Sequence, residues 1–196
     1  MCGIVGAVSR REVVPILLEG LRRLEYRGYD SAGISTVEED TVLTQVREVG
    51  KVEELESRIL PSHLNGKIGI AHTRWATHGQ PSISNAHPHT SAEELSVVHN
   101  GIIENYQEIR AFLINEGYEF VSETDSEVIP HLVHYYFRQT ESLIDAFRQS
   151  LKHLRGAYAI AVVHKKSPDK LIAARSGSPL VVGKGIGENF VASDVL

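Results

Sequence analysis

The chain begins MCGIVGAV (residues 1–8), and this stretch decides the fold and the chemistry that we expect. Residues 3–8 form a short apolar run with a glycine inside it, which is typical of a buried strand. Cys2, the only cysteine, lies directly in front of that strand. Removal of Met1 would give Cys2 a free α-amine beside its thiol, and an N-terminal amine can serve as general base for its own side chain. The alternative is that Cys2 is a small core residue.

The composition favours one globular domain without a membrane or nucleic-acid function. The 196 residues are 42% hydrophobic and 23% charged, with a net charge of −5. No basic patch suits nucleic acid, no apolar run reaches the roughly 20 residues that span a bilayer, and the start does not resemble a signal peptide. A single cysteine cannot form a disulfide within the chain, so we expect a cytoplasmic protein.

Apolar periodicity predicts a layered α+β fold with mainly antiparallel sheets. Helices are expected over 12–26, 52–60, 105–117, 124–137 and about 142–154. Strands are expected over 3–8, 34–37, 42–49, 67–73, 95–101, 157–165, 170–177, 179–185 and 189–194. Two stretches, YRGYDSAG (26–33) and 78–89, are expected to be loops. TDSE (124–127) has the form of a helix capping box, and GKGIG (183–187) favours a hairpin over a phosphate loop.

HNG (99–101) follows an apolar strand and offers the groups of an oxyanion hole. The amide of Asn100 and the backbone N–H of Gly101 are both hydrogen-bond donors, and glycine lets the backbone turn its N–H into a site. An ordinary Asn-Gly turn is the alternative.

HTRWATHG (72–79) carries side chains that suit a small zwitterion. The guanidinium of Arg74 matches a carboxylate, Thr77 and His78 add polar partners, and Trp75 adds an apolar wall. Asp125, expected in the first turn of a helix, could bind an ammonium group. Arg74 and Asp125 together would hold an α-amino acid. The alternatives are a surface arginine, a core tryptophan and an aspartate that only stabilises a helix N-terminus.

Histidines are concentrated in the middle of the chain, so a metal site has to be considered. Five of them are His72, His78, His87, His89 and His99. The sequence has no HExxH motif or paired CxxC, and NAHPH (85–89) alone is weak evidence for a metal site. We therefore expect no metal site.

Taken in order, these motifs resemble the glutaminase domain of the glucosamine-6-phosphate synthase family, within the N-terminal-nucleophile glutamine amidotransferases. The similarity extends through essentially the whole chain. The motifs that carry it are CGIVG, LRRLEYRGYDSAG, HTRWATHG, NAHPH, VHNGIIEN, SETDSEVI, LRGAYA and RSGSPLVVG. The resemblance implies a four-layer αββα fold, with two antiparallel sheets face to face between helical layers.

The resemblance also implies a reaction and a role for each matching residue. Cys2 would attack the side-chain amide of L-glutamine, release ammonia and leave a γ-glutamyl thioester that water cleaves to glutamate. Its α-amine would be the base, and Asn100 with Gly101 would form the oxyanion hole. No metal or organic cofactor would be needed. Substrate contacts would come from Arg74 on the carboxylate, Asp125 on the ammonium, and Thr77 and His78. Supporting positions would be Arg27 near the nucleophile, His87 in a bordering loop and Trp75 at the mouth of an ammonia channel.

The same resemblance implies partners that this chain lacks. Residues 1–196 would form a glutaminase domain that stops before its last strands, with an open sheet edge. The family continues with sugar-isomerase domains, which bind fructose-6-phosphate and through which a homodimer would form. Two alternatives stay open: an amidotransferase domain that serves another acceptor, and a glutamine-binding module without catalysis.

Overall fold

The computed structural model describes residues 2–38, 40–59, 64–76 and 78–195, and within these ranges it contains ten strands and five α-helices. The strands are β1 Gly3–Ser9, β2 Ser31–Val37, β3 Leu43–Val49, β4 Ile68–Arg74, β5 His89–Ser91, β6 Leu95–Ile103, β7 Gly156–His164, β8 Ile172–Ser176, β9 Val181–Lys184 and β10 Glu188–Ala192. The helices are α1 Val14–Leu24, α2 Val52–Ile59, α3 Tyr106–Asn115, α4 Val128–Thr140 and α5 Leu143–Leu151.

The strands form two sheets in which all neighbours are antiparallel. The larger sheet has the order β3-β2-β4-β1-β10-β9, and the smaller has the order β5-β6-β7-β8. β1 is therefore an interior strand, paired with β4 on one side and with β10 on the other. This pairing fixes the start of the chain, where an unpaired terminus would fray.

Alternation of side chains along each strand divides the core into three layers of apolar contacts. In β1, Ile4 points between the two sheets, whereas Val5 points toward α1 and α2. In β7, Ala159 and Ala161 face the larger sheet, whereas Ile160 packs with α3, α4 and α5. The order of layers is therefore helices, sheet, sheet, helices, as the resemblance predicted.

Helix α1 shows why the sequence forms its outer layer. Its buried positions include Leu17, Leu21 and Leu24, spaced to form one apolar stripe on the sheet. Pro15 lies in the first turn, where the missing N–H leaves no helical hydrogen bond unmade. Gly20 lies on the same face, and a Cβ there would come within 2.9 Å of Val5. The glycine thus lets the helix lie close to β1.

Most predicted elements are confirmed, and two of the errors lie beside the site. The stretch YRGYDSAG is not a continuous loop, because Glu25–Arg27 is a 3-10 turn and β2 begins at Ser31. The weak strand formers of β2 are held by β3 and β4 on its two sides. HNG lies within β6, as the predicted strand 95–101 has it, but the alternative of an Asn-Gly turn is wrong, because β6 continues to Ile103 with its backbone paired to β7. The short strand β5 was not predicted.

The capping-box prediction for TDSE is wrong. Helix α4 begins at Val128, and the N-cap residue Glu127 makes no side-chain capping hydrogen bond. Its carboxylate instead accepts from the backbone N–H groups of Val121 and Ser122, at 3.0 and 2.8 Å. The Thr124 hydroxyl lies 3.0 Å from Nε2 of His89. Both side chains of the motif therefore bind the preceding loop and β5, and Asp125 lies before the helix rather than in its first turn.

The GKGIG segment is confirmed as a hairpin between β9 and β10, in which Lys184 pairs with Asn189. β9 is the edge strand of the larger sheet, and the Val182 side chain is largely exposed on it. None of the helices in the described ranges combines the length and the apolar character that crossing a membrane requires.

Candidate active site

Cys2 lies at one end of the space between the two sheets, in a cavity of about 370 Å³. The cavity is lined by residues from both sheets and their loops: Cys2, Arg27, Arg74, Trp75, His78, His87, His99, Asn100, Gly101, Ile102, Thr124, Asp125, Ser126, Ser178 and Pro179. The predicted site residues within the described part of the chain are thus brought to one cavity. Thr77 and Met1 lie outside the described residues.

The Cys2 thiol rests on the backbone of Trp75. The Trp75 N–H donates to Sγ at 3.2 Å, and Sγ lies 3.4 Å from the Trp75 carbonyl oxygen. Burial raises the pKa of the Cys2 thiol above its ordinary value, and the hydrogen bond from Trp75 opposes this shift in part. The thiol is therefore protonated at neutral pH, and a nucleophilic reaction needs a base to remove the proton.

Asn100 and Gly101 lie in β6, facing the start of β1. The Nδ2 of Asn100 donates to the Cys2 carbonyl oxygen at 3.0 Å, so the amide group points at the nucleophile residue. Gly101 has φ +125°, and a Cβ built there would lie 2.0 Å from the Ala157 carbonyl oxygen. Only glycine fits this position, for conformational and for steric reasons.

Arg74 is not a surface arginine, because its residue is only 4% exposed. Trp75 is not a core tryptophan, because it is 54% exposed. Trp75 lies over Gly28, where a Cβ would come within 2.7 Å of the indole ring. The guanidinium of Arg74 donates to the carbonyl oxygens of His78 and Gly79, the second at 3.2 Å. Arg74 therefore holds its own loop closed while it lines the cavity.

Asp125 uses one carboxylate oxygen to fix its position. Its Oδ2 accepts from the Ile103 N–H at 2.7 Å, and its Oδ1 lies 3.9 Å from Nδ1 of His78. The carboxylate is buried and lines the same cavity as Arg74. The cavity therefore offers a cationic and an anionic side chain to a small molecule.

Arg27 lies in the 3-10 turn Glu25–Arg27, beside the two residues that follow β10. Its Nη1 donates to the Ser193 carbonyl oxygen at 3.1 Å and pairs with Asp194 at 3.4 Å. Ser193 in turn accepts from the Ile4 N–H at 2.9 Å through its hydroxyl. Arg27 and the end of β10 thus support the first residues of β1, and the predicted place of Arg27 near the nucleophile is consistent with these contacts.

Four histidines, His72, His87, His89 and His99, are buried together, and two of them, His87 and His99, line the cavity. The His87 ring meets the His72 ring edge to face at 4.1 Å between centroids, and the His89 ring at 4.6 Å. Burial lowers the pKa of His72 and of His89 to about 3, and that of His99 to about 4. They are neutral at physiological pH. Among the described residues, no group of three or more His, Cys, Asp or Glu side chains is arranged to hold a metal ion.

Sequence reasoning missed two residues that hold the site in place, Asp30 and His72, and it did not predict the lining residues His99, Ile102, Thr124, Ser126, Ser178 and Pro179. Asp30, in the YRGYDSAG motif, accepts from the Ala76 N–H at 2.5 Å and pairs with Arg74 at 3.5 Å. It therefore anchors the segment on which the thiol rests. His72 lies 2.9 Å from the Asn100 side chain. The signal for His72 was its place two residues before Arg74 on one strand, which puts both side chains on the same face.

The family model described as "Glutamine amidotransferase domain" matches residues 72–195. The chain is 56% identical over all 196 residues to a glutamine–fructose-6-phosphate aminotransferase [isomerizing] of Legionella pneumophila (strain Lens). It is 58% identical to the protein of that name from Pseudomonas syringae pv. tomato. In both cases all of this chain matches 32% of the relative, so the chain spans about a third of the length of these curated relatives.

Solved structures share the fold. The glutamine phosphoribosylpyrophosphate amidotransferase from B. subtilis, complexed with ADP and GMP, matches 98% of this chain and 42% of its own, with a TM-score of 0.82 and 29% identity. A glutamine aminotransferase class-II domain protein from Silicibacter pomeroyi matches 97% of this chain and 88% of its own, with a TM-score of 0.65. At 16% identity that second likeness concerns the fold alone.

Proposed function

This chain belongs to the glutamine amidotransferase family, and from that premise we propose that Cys2 hydrolyses the side-chain amide of L-glutamine to glutamate and ammonia. One observation carries the proposal most strongly. The Cys2 thiol and the Asn100 amide, which comes from the other sheet, lie at one cavity together with the charged pair Arg74 and Asp125. The cavity thus joins a nucleophile, an oxyanion donor and two groups of opposite charge for an α-amino acid.

The proposed orientation of glutamine follows from the two charged side chains. Arg74 binds the α-carboxylate, the carboxylate of Asp125 binds the α-ammonium group, and Thr77 and His78 supply further substrate contacts. The side-chain amide then extends toward Cys2. Trp75, largely exposed beside the thiol, forms a wall at the reacting end, where a channel for ammonia would begin.

The first step transfers the thiol proton to the α-amine of Cys2, which is free once Met1 has been removed. The sulfur bonds to the amide carbon, and the oxyanion accepts hydrogen bonds from Nδ2 of Asn100 and the N–H of Gly101. The carbon–nitrogen bond then breaks, and ammonia leaves with the proton held by the amine. Water cleaves the thioester to glutamate and restores the thiol.

We further propose that residues 1–196 form the glutaminase domain of a longer enzyme. In that enzyme the ammonia would reach fructose-6-phosphate on C-terminal sugar-isomerase domains and give glucosamine-6-phosphate, and a homodimer would form through those domains. The support is the sequence identity of 56–58% to glutamine–fructose-6-phosphate aminotransferases. The identity to the glutamine phosphoribosylpyrophosphate amidotransferase is 29%. We expect the enzyme to work in the cytoplasm, where the thiol of Cys2 stays reduced.

The test is one experiment on the untagged chain, with intact mass and the release of ammonia and glutamate measured on the same sample. We expect Met1 to be absent, glutamine to be hydrolysed, and Cys2→Ala to abolish release while the circular dichroism spectrum is unchanged. A chain that retains Met1 should be silent, because its base would be an amide nitrogen. Full activity of Cys2→Ala would refute the mechanism. Glutamine binding without hydrolysis by the processed chain would instead favour a binding module.

A further inference from the structure

We propose that His72 is a positioning residue that sets the orientation of the Asn100 amide and thereby aims the oxyanion donor at Cys2. This inference rests on the proposed function, because it concerns the same oxyanion hole. His72 lies in β4 and Asn100 in β6, so the contact joins the two sheets. The distance from Nε2 of His72 to Oδ1 of Asn100 is 2.9 Å.

A second contact, which does not involve the Asn100 side chain, shows which ring nitrogen of His72 carries the proton. Nε2 also lies 3.1 Å from the backbone carbonyl oxygen of His99. A carbonyl oxygen only accepts hydrogen bonds, so Nε2 has to carry the proton and donate. The tautomer is thus fixed by the backbone of β6.

A donating Nε2 then decides which end of the Asn100 amide faces it. The oxygen can accept from Nε2, whereas the NH₂ group would place two donors against each other in a buried site. The NH₂ group therefore points the other way, to the Cys2 carbonyl oxygen at 3.0 Å. In the reversed orientation the amide oxygen would face the oxyanion and repel it.

Burial keeps the His72 ring neutral, and the His87 ring packs against it. His72 is 0% exposed, and burial lowers its pKa to about 3, so the ring is neutral and carries one N–H. Nδ1 of His87 lies 3.1 Å from both Nδ1 and Nε2 of His72, so this contact does not distinguish the two nitrogens, and the His99 carbonyl oxygen is the group that does. Gly33 is opposite His72 in the sheet, and a Cβ there would lie 2.1 Å from the His87 carbonyl oxygen. The glycine therefore admits the loop that brings His87 to His72.

The first experiment compares glutamine hydrolysis by His72→Leu, which lacks the donor, and His72→Gln, which restores an N–H near Nε2. We expect His72→Leu to lower kcat on the order of 10- to 100-fold with KM little changed, because a misdirected amide loses part of the roughly 100- to 1,000-fold that one oxyanion donor contributes. His72→Gln should recover most of kcat. His164→Leu is the matched control, because it removes a buried histidine of β7 that does not contact Asn100. We expect its kcat to be close to that of the wild type.

A double-mutant cycle with Asn100→Ala tests whether His72 acts through Asn100. In the Asn100→Ala background, His72→Leu should cause no further loss of kcat, because there is no amide left to orient. Equal losses in both backgrounds would overturn the proposal. So would a folded His72→Gln that is as inactive as His72→Leu.

A second measurement does not depend on activity. A long-range ¹H–¹⁵N NMR spectrum of the wild-type chain reports the tautomer of His72 directly, and we expect the proton on Nε2. A proton on Nδ1 would overturn the proposal even if His72→Leu fails to fold. If the wild type releases no ammonia while Nε2 carries the proton, the proposed function fails and the orientation of Asn100 stands.

Discussion

Acid should unfold this protein through its buried histidines before its carboxylates titrate. His72, His87, His89 and His99 are each at most 5% exposed. In the folded chain burial lowers the pKa of each below its ordinary value of 6.5, to about 3 for His72 and His89 and about 4 for His99. In the unfolded chain they regain the ordinary value. Between pH 6.5 and 4 the unfolded state binds more protons, so the free energy of unfolding falls as the pH falls.

The size of the effect is worked out for these four rings, and His164, which is also buried with its pKa lowered to about 4, acts in the same direction. Well below pH 6.5, each histidine that is protonated only in the unfolded state lowers the free energy of unfolding by roughly 1 kcal/mol for every unit by which the pH falls. Four such histidines lower the free energy of unfolding by roughly 4 kcal/mol per pH unit, which amounts to roughly 6 kcal/mol between pH 6.5 and pH 5. Because a domain of this size is stable by about 5–15 kcal/mol, we expect much of its stability to be lost near pH 5.

Urea unfolding followed by circular dichroism, at half-unit steps from pH 7.5 to 4.5, measures this slope. His89→Gln removes one of the four rings and should reduce the slope between pH 6.5 and 5 by roughly 1 kcal/mol per pH unit. The exposed His153, changed to Gln, controls for the loss of a histidine as such. A free energy of unfolding that is constant from pH 6.5 to 5 would refute the reasoning, because it would mean that the folded chain takes up the same protons.

Three further predictions concern the backbone around the site. Gly101→Ala should lower the free energy of unfolding, measured in urea, by roughly 1–3 kcal/mol and should remove most of the activity. The reason is that the new Cβ would lie 2.0 Å from the Ala157 carbonyl oxygen. A variant with the stability and kcat of the wild type would contradict this prediction. Gly33→Ala should lower kcat by displacing the loop of His87, and an unchanged kcat would show that the loop is not coupled to the site. Asp30→Asn should lower kcat/KM on the order of 10- to 100-fold, because one charge-assisted hydrogen bond contributes about 1.5–3 kcal/mol; a loss below threefold would argue against its anchoring role.

Local patterns in the sequence were enough to predict most elements of the fold. The apolar stripe of α1 and the glycine and asparagine signals at turns depend only on near neighbours in the chain. The place of Cys2 before a buried strand was also visible, as were the donors of HNG and the opposite charges of Arg74 and Asp125. The four-layer arrangement came from the resemblance of whole motifs, since periodicity alone does not say how sheets stack.

Errors occurred where tertiary contacts override local preference. The predicted capping box fails because Glu127 and Thr124 find partners in the preceding loop and in β5. The strand that contains HNG extends to Ile103, beyond its predicted end at residue 101, because β6 pairs with β7 through nine residues. These partners cannot be predicted from the TDSE or HNG segments themselves, because they lie on other parts of the chain that only the fold places next to these segments.

The residue types at the site were determined by the sequence, and their roles by the packing of one sheet on the other. Strand alternation puts His72 and Arg74 on one face of β4, but only the stacking of the sheets brings Asn100 within 2.9 Å of His72. The same stacking buries the histidines, which keeps them neutral and makes them hydrogen-bonding groups rather than charges. Hydrogen-bond direction and desolvation depend on atoms far apart in sequence, and so only the tertiary structure could decide them.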